Sequence, residues 1–313
     1  GLLVKAGNIG KLPSAEPLFA GLFARLLAEV HPPLADCMAV VWWKGGDEQG
    51  AAPLYAEAET VLAYGSNASL DAVRRQLPVT TRFLPYGHKL GFGLIGVAAL
   101  DALRAPATAR LAAWDVMRYD QQGCYSPHVF YVERGGKVSP REFAQYLGSE
   151  LANLQQRFPR RALDLEDAAA VAGWRQSREL QSLSAADGAL IGHDAAPWGV
   201  AYTETLQPLS PSGLNRSIQV VAVDALEDVV PQLAAHRPFL QTVGLAVEPA
   251  ELFRLSELLG AAGVTRISAI GAMTSPEAGW HHDGRFNLLD LVRMVEIEQS
   301  AELAADRLAP YAD

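Results

Sequence analysis

Strand-type apolar runs and helical segments take turns along this chain, and that alternation restricts its fold more than any other feature. "CMAVVWWKG", "TVLAY", "VFYVERGGKV", "RSIQVVAVD", "TVGLAVE" and "VTRISAIG" are short, apolar and rich in β-branched and aromatic residues. Runs of that kind suit strands covered on both faces, the usual situation in a parallel sheet. "LLVK" at the start and "PWGVAYTE" near residue 200 are further strand candidates, and "TTRFLPYGHKLGFGLIG" holds two short strands around a glycine-containing turn. Between them lie helical patterns: "SAEPLFAGLFARLLAEV", "PLYAEAE", "GSNASLDAVRRQL", "PATARLAAWDVMRY", the stretch from about 160 to 190, "DALEDVVPQLAAH" and "PAELFRLSELLGAAG". Ser14 is the expected N-cap of the first helix, with Glu16 in its first turn. "SPREFAQYLGSELANLQQRF" opens with a capping box, Ser139 and Glu142, with Pro140 at the first helical position. Near the end, a loop rich in Gly, Pro, Trp and His leads into "FNLLDLVRMVEIE", which reads as a helix. The expected class is α/β, a parallel sheet wound with helices.

Composition removes several functions. Of 313 residues, 50% are hydrophobic and 19% charged, so a large core can form. The net charge of −9 disfavours nucleic acid and anionic membrane surfaces as partners. No apolar run approaches the roughly 18 residues of a spanning helix. Two distant cysteines, Cys37 and Cys124, form no disulfide framework, which points to a reducing, cytoplasmic setting.

Five places could carry chemistry. A strand ends at Tyr64, and Gly65 and Ser66 turn into a helix whose amino end suits a phosphate or serves only as a capped start. Lys5, after "LLVK", sets an amine at a strand end, over a ribose or phosphate or merely in solvent. In "PYGHKLGF", Gly87 and Gly91 allow close backbone approach to a planar ligand, and His88 is either a proton donor or an ordinary turn histidine. Cys124 is either a buried thiol at a strand start or a nucleophile; its flanks, "QQG" and "YSP", are polar and turn-forming rather than apolar. Cys37, inside the apolar strand "DCMAVVWW", reads as structural. "WHHDG", from Trp280 to Gly284, brings His281, His282 and Asp283 together without a further ligand at metal spacing, so no metal is expected.

In order, these pieces resemble the aldehyde dehydrogenase superfamily. "YDQQGCYSPHVFYVE", "RFLPYGHK" and "WHHDGRFNLLDLVR" resemble one branch of it, the acyl-CoA reductases that include the bacterial luminescence fatty-acid reductase (LuxC). The resemblance implies a Rossmann-type cofactor domain and an α/β catalytic domain. It implies Lys5 on the adenosine ribose, with Asn8, Gly65, Ser66 and Gly87 also on the cofactor, and Cys124 as the nucleophile. The turn that carries a water-activating glutamate in dehydrogenases has Pro85 here. A glutamate that repels a 2′-phosphate in NAD-preferring relatives is replaced by Asn8, which tolerates NADPH, with NADH also usable. Four residues precede Lys5, so the first cofactor-domain strand and an oxyanion amide would lie in a segment before Gly1.

The expected layout is a partial dinucleotide-binding domain over 1–105, a catalytic cysteine domain over 106–270, and a segment over 271–313 that packs across both or at an oligomer interface. The expected reaction is NADPH-dependent reduction of an acyl thioester to an aldehyde through an acyl-Cys124, with His88 as a candidate proton donor. Acyl-CoA or a carrier-bound acyl group would be the substrate, and a homo-oligomer or a complex with an acyl-transferring partner the working form. Alternatives are an aldehyde dehydrogenase that makes an acid or thioester, a nicotinamide-independent cysteine acyltransferase, and an inactive subunit.

Overall fold

The computed structural model of the chain describes residues 1–13, 16–44, 48–185 and 187–310. The expected cap Ser14 lies outside the described residues. The described chain forms two compact units. The first comprises Gly1–Ala63, Asp71–Leu84 and Arg285–Asp313, and the second Tyr64–Leu70 and Pro85–Gly284.

In chain order the opening elements are β1 (Asn8–Lys11), α1 (Phe19–Val30), β2 (Met38–Val41), α2 (Glu48–Glu57), β3 (Thr60–Tyr64), α3 (Asn67–Gln76) and β4 (Arg82–Tyr86). β1 and β2 pair in parallel, and β3 pairs with β4. "LLVK" is not a strand. Leu2–Val4 form a 3₁₀ turn, closed by Val4 and Lys5 N–H groups on the carbonyls of Gly1 and Leu2. Lys5 ends that turn in the left-handed region at φ 58°, and the strand starts three residues later. The first turn of α1 is capped by Glu16, whose carboxylate accepts from the N–H groups of Leu18 and Phe19. Phe19, Leu22, Phe23 and Leu26 on α1 are exposed.

The second unit is built on β5 (Leu90–Ile95), α4 (Arg104–Met117), β6 (Pro127–Glu133), α5 (Pro140–Arg157), α6 (Leu165–Ala185), β7 (Gly188–Ile191), β8 (Gly199–Thr203), β9 (Ser217–Val223), β10 (Leu240–Ala246), α7 (Pro249–Ala262) and β11 (Arg266–Ala269). The first unit then closes with α8 (Gln299–Asp306). Seven strands form one sheet in the order β11-β10-β5-β6-β9-β8-β7. All neighbours are parallel except β7 and β8, which are antiparallel.

Side chains alternate across this sheet, and each face has its own core. Ile95, Phe130, Val132, Ile218 and Val220 pack with α4 and α5. Phe92, Leu94, Val129, Tyr131 and Val221 pack with α7 and the segment Leu226–Phe239. Both faces are covered, which is why β5, β6 and β9 read as unbroken apolar runs. α4 meets the sheet through Ala105, Ala109, Ala112 and Ala113, all fully buried. The capping box of α5 forms as expected: Ser139 Oγ accepts from the Glu142 N–H, and the Glu142 carboxylate accepts from the Ser139 N–H.

Two further elements depart from expectation. "DALEDVVPQLAAH" is an irregular 3₁₀ segment, because Pro231 and Pro238 supply no N–H to an α-helical ladder. "FNLLDLVRMVEIE" is not a helix: Leu289–Leu291 make one 3₁₀ turn and Val292 is extended. There Arg82 Nη1 donates to the carbonyls of Asp290 (2.5 Å) and Val292 (3.1 Å), acceptors a continuing helix would have used. β5 is an inner strand of the large sheet and lies in the second unit, which takes in Tyr64–Leu70 and Pro85–Gly284.

Candidate active site

After α4 the chain takes three consecutive left-handed residues: Tyr119 (φ 55°), Asp120 (48°) and Gln121 (62°). Each such non-glycine residue costs about 1–2 kcal/mol, so its surroundings must hold it there. What holds them is a second left-handed triplet, Leu214 (53°), Asn215 (49°) and Arg216 (68°), just before β9. The Asn215 N–H donates to the Asp120 carbonyl (2.9 Å), and Arg216 Nε to Asp120 Oδ1 (2.7 Å). The buried Gln121 side chain accepts from the Ser217 N–H (2.8 Å) and donates to the carbonyls of Pro127 (2.8 Å) and Ser217 (3.1 Å). Arg216 also reaches Gln155 Oε1 and the Phe158 carbonyl at the end of α5.

This double latch delivers Gln122, Gly123 and Cys124 in a turn ahead of β6. The turn lies tight against β5: a Cβ on Gly91 would stand 2.6 Å from the Ser126 carbonyl oxygen. Cys124 is partly buried. Its sulfur accepts from Gln241 Nε2 at 3.6 Å. The same Nε2 donates to Asp283 Oδ1 at 2.6 Å, and Asp283 Oδ2 lies 3.7 Å from Lys89 Nζ. Burial pushes the Cys124 thiol up, the Gln241 hydrogen bond pulls it down, Asp283 raises it and Lys89 lowers it, with a net rise.

Lys89 precedes β5, Cys124 precedes β6, Arg216 precedes β9, and Gln241 is the second residue of β10. The site therefore sits at the amino ends of four adjacent parallel strands, opposite the carboxyl-end crevice common in open α/β sheets. His282 stacks on Tyr86 (4.5 Å between ring centroids) and Trp280 (4.9 Å), and Tyr86 stacks on Tyr64 (4.8 Å). Burial lowers the His282 pKa.

The structure places the expected residues as follows. Cys124 is at the centre of the cluster. His88 is exposed between β4 and β5, while Lys89, the next residue, enters the charge environment of Cys124. Gly65 and Ser66 lead into α3, and Ser66 Oγ accepts from the Ser69 N–H at 3.2 Å. Gly87 lies against that helix: a Cβ there would stand 3.1 Å from Asn67 Oδ1. Lys5 and Asn8 belong to the first unit, where the Asn8 amide donates to the Ala6 carbonyl at 2.7 Å. Pro85 lies in β4. Cys37 is exposed, not built into a strand, and its thiol faces the Pro33 carbonyl at 3.6 Å. Among the described residues no group of three or more His, Cys, Asp and Glu is arranged to hold a metal, and no helix is long and apolar enough to cross a membrane.

The family model described as "Acyl-CoA reductase (LuxC)" matches residues 1–294. The chain belongs to the acyl-CoA reductase (LuxC) family. Its relatives in that family include the long-chain acyl-protein thioester reductase of Aliivibrio fischeri, 26% identical over 306 residues, with 95% of this chain and 60% of the relative covered. The Photorhabdus luminescens reductase of the same description is 26% identical over 317 residues, covering 98% and 62%. The chain thus spans about 60% of the length of these curated relatives. An indole-3-acetaldehyde dehydrogenase complexed with NAD+ superposes with TM-score 0.69 at 15% identity, covering 88% of this chain and 57% of that one. An NAD-dependent aldehyde dehydrogenase from Burkholderia multivorans gives 0.61 at 15% identity, covering 85% and 50%. The fold is that of the aldehyde dehydrogenases.

Gln241 and Asp283 went unread as parts of one site because they come from separate strands and loops. A signal for Gln241 existed: Gln-Thr interrupts the apolar run "FLQTVGLAV" at a position that is fully buried.

Proposed function

We propose that this protein reduces an acyl thioester, carried on coenzyme A or on an acyl-carrying protein, to an aldehyde through an acyl group held on Cys124. The observation that carries this reading is a partly buried cysteine presented by a strained, heavily braced turn, with a side-chain N–H on its sulfur. The relatives named as acyl-protein thioester reductases support the substrate class.

The Cys124 thiolate attacks the thioester carbonyl; the substrate's C–S bond breaks, and the departing thiolate takes up a proton. A nicotinamide cofactor, when bound, would supply the hydride equivalent that reduces the acyl group. The resulting hemithioacetal on Cys124 collapses, the aldehyde leaves, and the sulfur regains a proton. Among this chain's residues, Gln241 steadies the sulfur as an anion. His88 was the expected proton donor, but Lys89 is the better placed of the two in that turn. Asp283 brings a carboxylate near the sulfur, yet it is engaged by Gln241 and Lys89. It is therefore no free base for water, and Pro85 supplies none, which favours reduction over hydrolysis to an acid.

The residues fit a dinucleotide. The proposed phosphate position is the Gly65–Ser66 turn at the start of α3, where Ser66 Oγ takes the Ser69 N–H and Gly87 packs closely beside the first turn. The family resemblance assigns Lys5 to the ribose and has neutral Asn8 where a glutamate would repel a 2′-phosphate, so NADPH is the proposed cofactor, with NADH also usable.

Intact-mass spectrometry after mixing with acyl-CoAs of graded length tests the reading. The expected result is an acyl mass on Cys124 that NADPH discharges as aldehyde, and none in Cys124→Ala. An acyl adduct that persists in Cys124→Ala overturns it.

A further inference from the structure

The Gln241 side chain is gripped at both ends. At the nitrogen end, Nε2 donates to Asp283 Oδ1 (2.6 Å), and a carboxylate can accept but not donate. At the oxygen end, Oε1 accepts from the Thr242 hydroxyl (3.3 Å), and the Thr242 oxygen in turn accepts from Arg266 Nη1 (3.4 Å). Arg266 is itself anchored on the carbonyls of Ala272 and Met273. A guanidinium only donates, so its pairing with Thr242 turns the hydroxyl proton toward Oε1. Lys89 completes the line from the other side: its ammonium lies 3.7 Å from Asp283 Oδ2 and donates to the Pro238 carbonyl at 3.3 Å.

An amide can swap its oxygen and nitrogen by rotating half a turn, and the two orientations have opposite effects on a neighbouring sulfur. An N–H stabilises a thiolate; a carbonyl oxygen repels it. We propose that Asp283 is a positioning residue: with Thr242 it locks the Gln241 amide so that an N–H, and never the carbonyl, faces the Cys124 sulfur. Asp283 thereby acts on Cys124 in two opposed ways. Its charge disfavours the thiolate, and its grip on Gln241 favours it. This inference rests on the reading of Cys124 as the nucleophile.

The opposed effects make the proposal measurable. Iodoacetamide alkylation of Cys124 across pH, followed on its peptide by mass spectrometry, reports the thiol pKa, and exposed Cys37 is the reference on the same chain. Gln241→Met should raise the Cys124 pKa by about one unit, the scale of a lost hydrogen bond to a charged group. In that background Asp283→Ala removes a charge that raises the thiol and frees Lys89, which lowers it, so the pKa should fall. With Gln241 intact, Asp283→Ala also frees the amide, so the fall should vanish or reverse. A difference between the two backgrounds below about half a unit, or no rise in Gln241→Met, overturns the proposal. If Gln241→Met fails to fold, Gln241→Leu, similar in size and without a donor or a charge, is the second background. Alkylation needs no acyl donor. Coupling without acyl-enzyme would sink the proposed function and leave this inference standing; acyl-enzyme without coupling would do the reverse.

Discussion

At the scale of single residues, Arg216 has the most to hold. It is 2% exposed and joins the cysteine turn, the start of β9 and the end of α5 through Asp120, Gln155 and the Phe158 carbonyl. Arg216→Ala leaves a largely buried Asp120 without its cation. The expected loss is about 3–5 kcal/mol in urea unfolding, with a slower alkylation of Cys124 as the turn relaxes. A loss under about 1 kcal/mol would mean the latch is not what holds the left-handed triplets. "GLNRSIQVV" shows none of this on its face: three left-handed non-glycine residues have no local signature, since their cause is a partner almost 100 positions away. The polar flanks of Cys124 left buried thiol and nucleophile both open, and only the order of motifs upstream, read through the family resemblance, pointed to the nucleophile. Lys89, Gln241 and Asp283 were not legible as a group, because adjacency at the amino ends of β5, β6 and β10 is a property of strand order and not of spacing.

At the scale of elements, local chemistry predicted well where it was sufficient. The capping box of α5 is the clearest case, and Ser139→Ala should cost about 1 kcal/mol in denaturant midpoint analysis with activity retained. The strands β5, β6, β9 and β10 followed from apolar runs too long to be half-exposed. Prediction failed where a side chain from elsewhere outbid the helical pattern. The helix expected over "FNLLDLVRMVEIE" loses its carbonyls to Arg82, which no window on those residues can contain. β7 was missed because "GALI" is four residues long and sits at a sheet edge. Its antiparallel pairing gives an otherwise parallel sheet a different last strand.

At the scale of the whole molecule, two buried titratable groups set opposing acid responses. Burial pushes the Asp115 carboxyl up to about 6, against the pull of N–H donors from Gly271 and Met273. Burial pushes the His128 imidazole down to about 4, with its Nδ1 accepting from the Ser212 N–H. A raised carboxyl binds its proton more readily when folded, so its contribution to stability grows as pH falls from about 6 toward 3.8. A lowered histidine binds its proton more readily when unfolded, so stability is lost as pH falls from 6.5 toward about 4, on the order of 3 kcal/mol in total. Measured against the parent at each pH, Asp115→Asn should therefore fall off more steeply below pH 6, and His128→Gln less steeply below 6.5. Parallel unfolding curves for parent and variants across that range would refute the assignment.

The paired left-handed triplets also bear on how this sequence can be recombined. Residues 119–121 and 214–216 brace each other, yet three strands and two helices separate them along the chain. A hybrid gene whose crossover falls anywhere between them joins one parent's turn to another parent's brace. Mismatched halves should then give insoluble product far more often than crossovers placed before Tyr119 or after Ser217, so the two turns are inherited together or not at all.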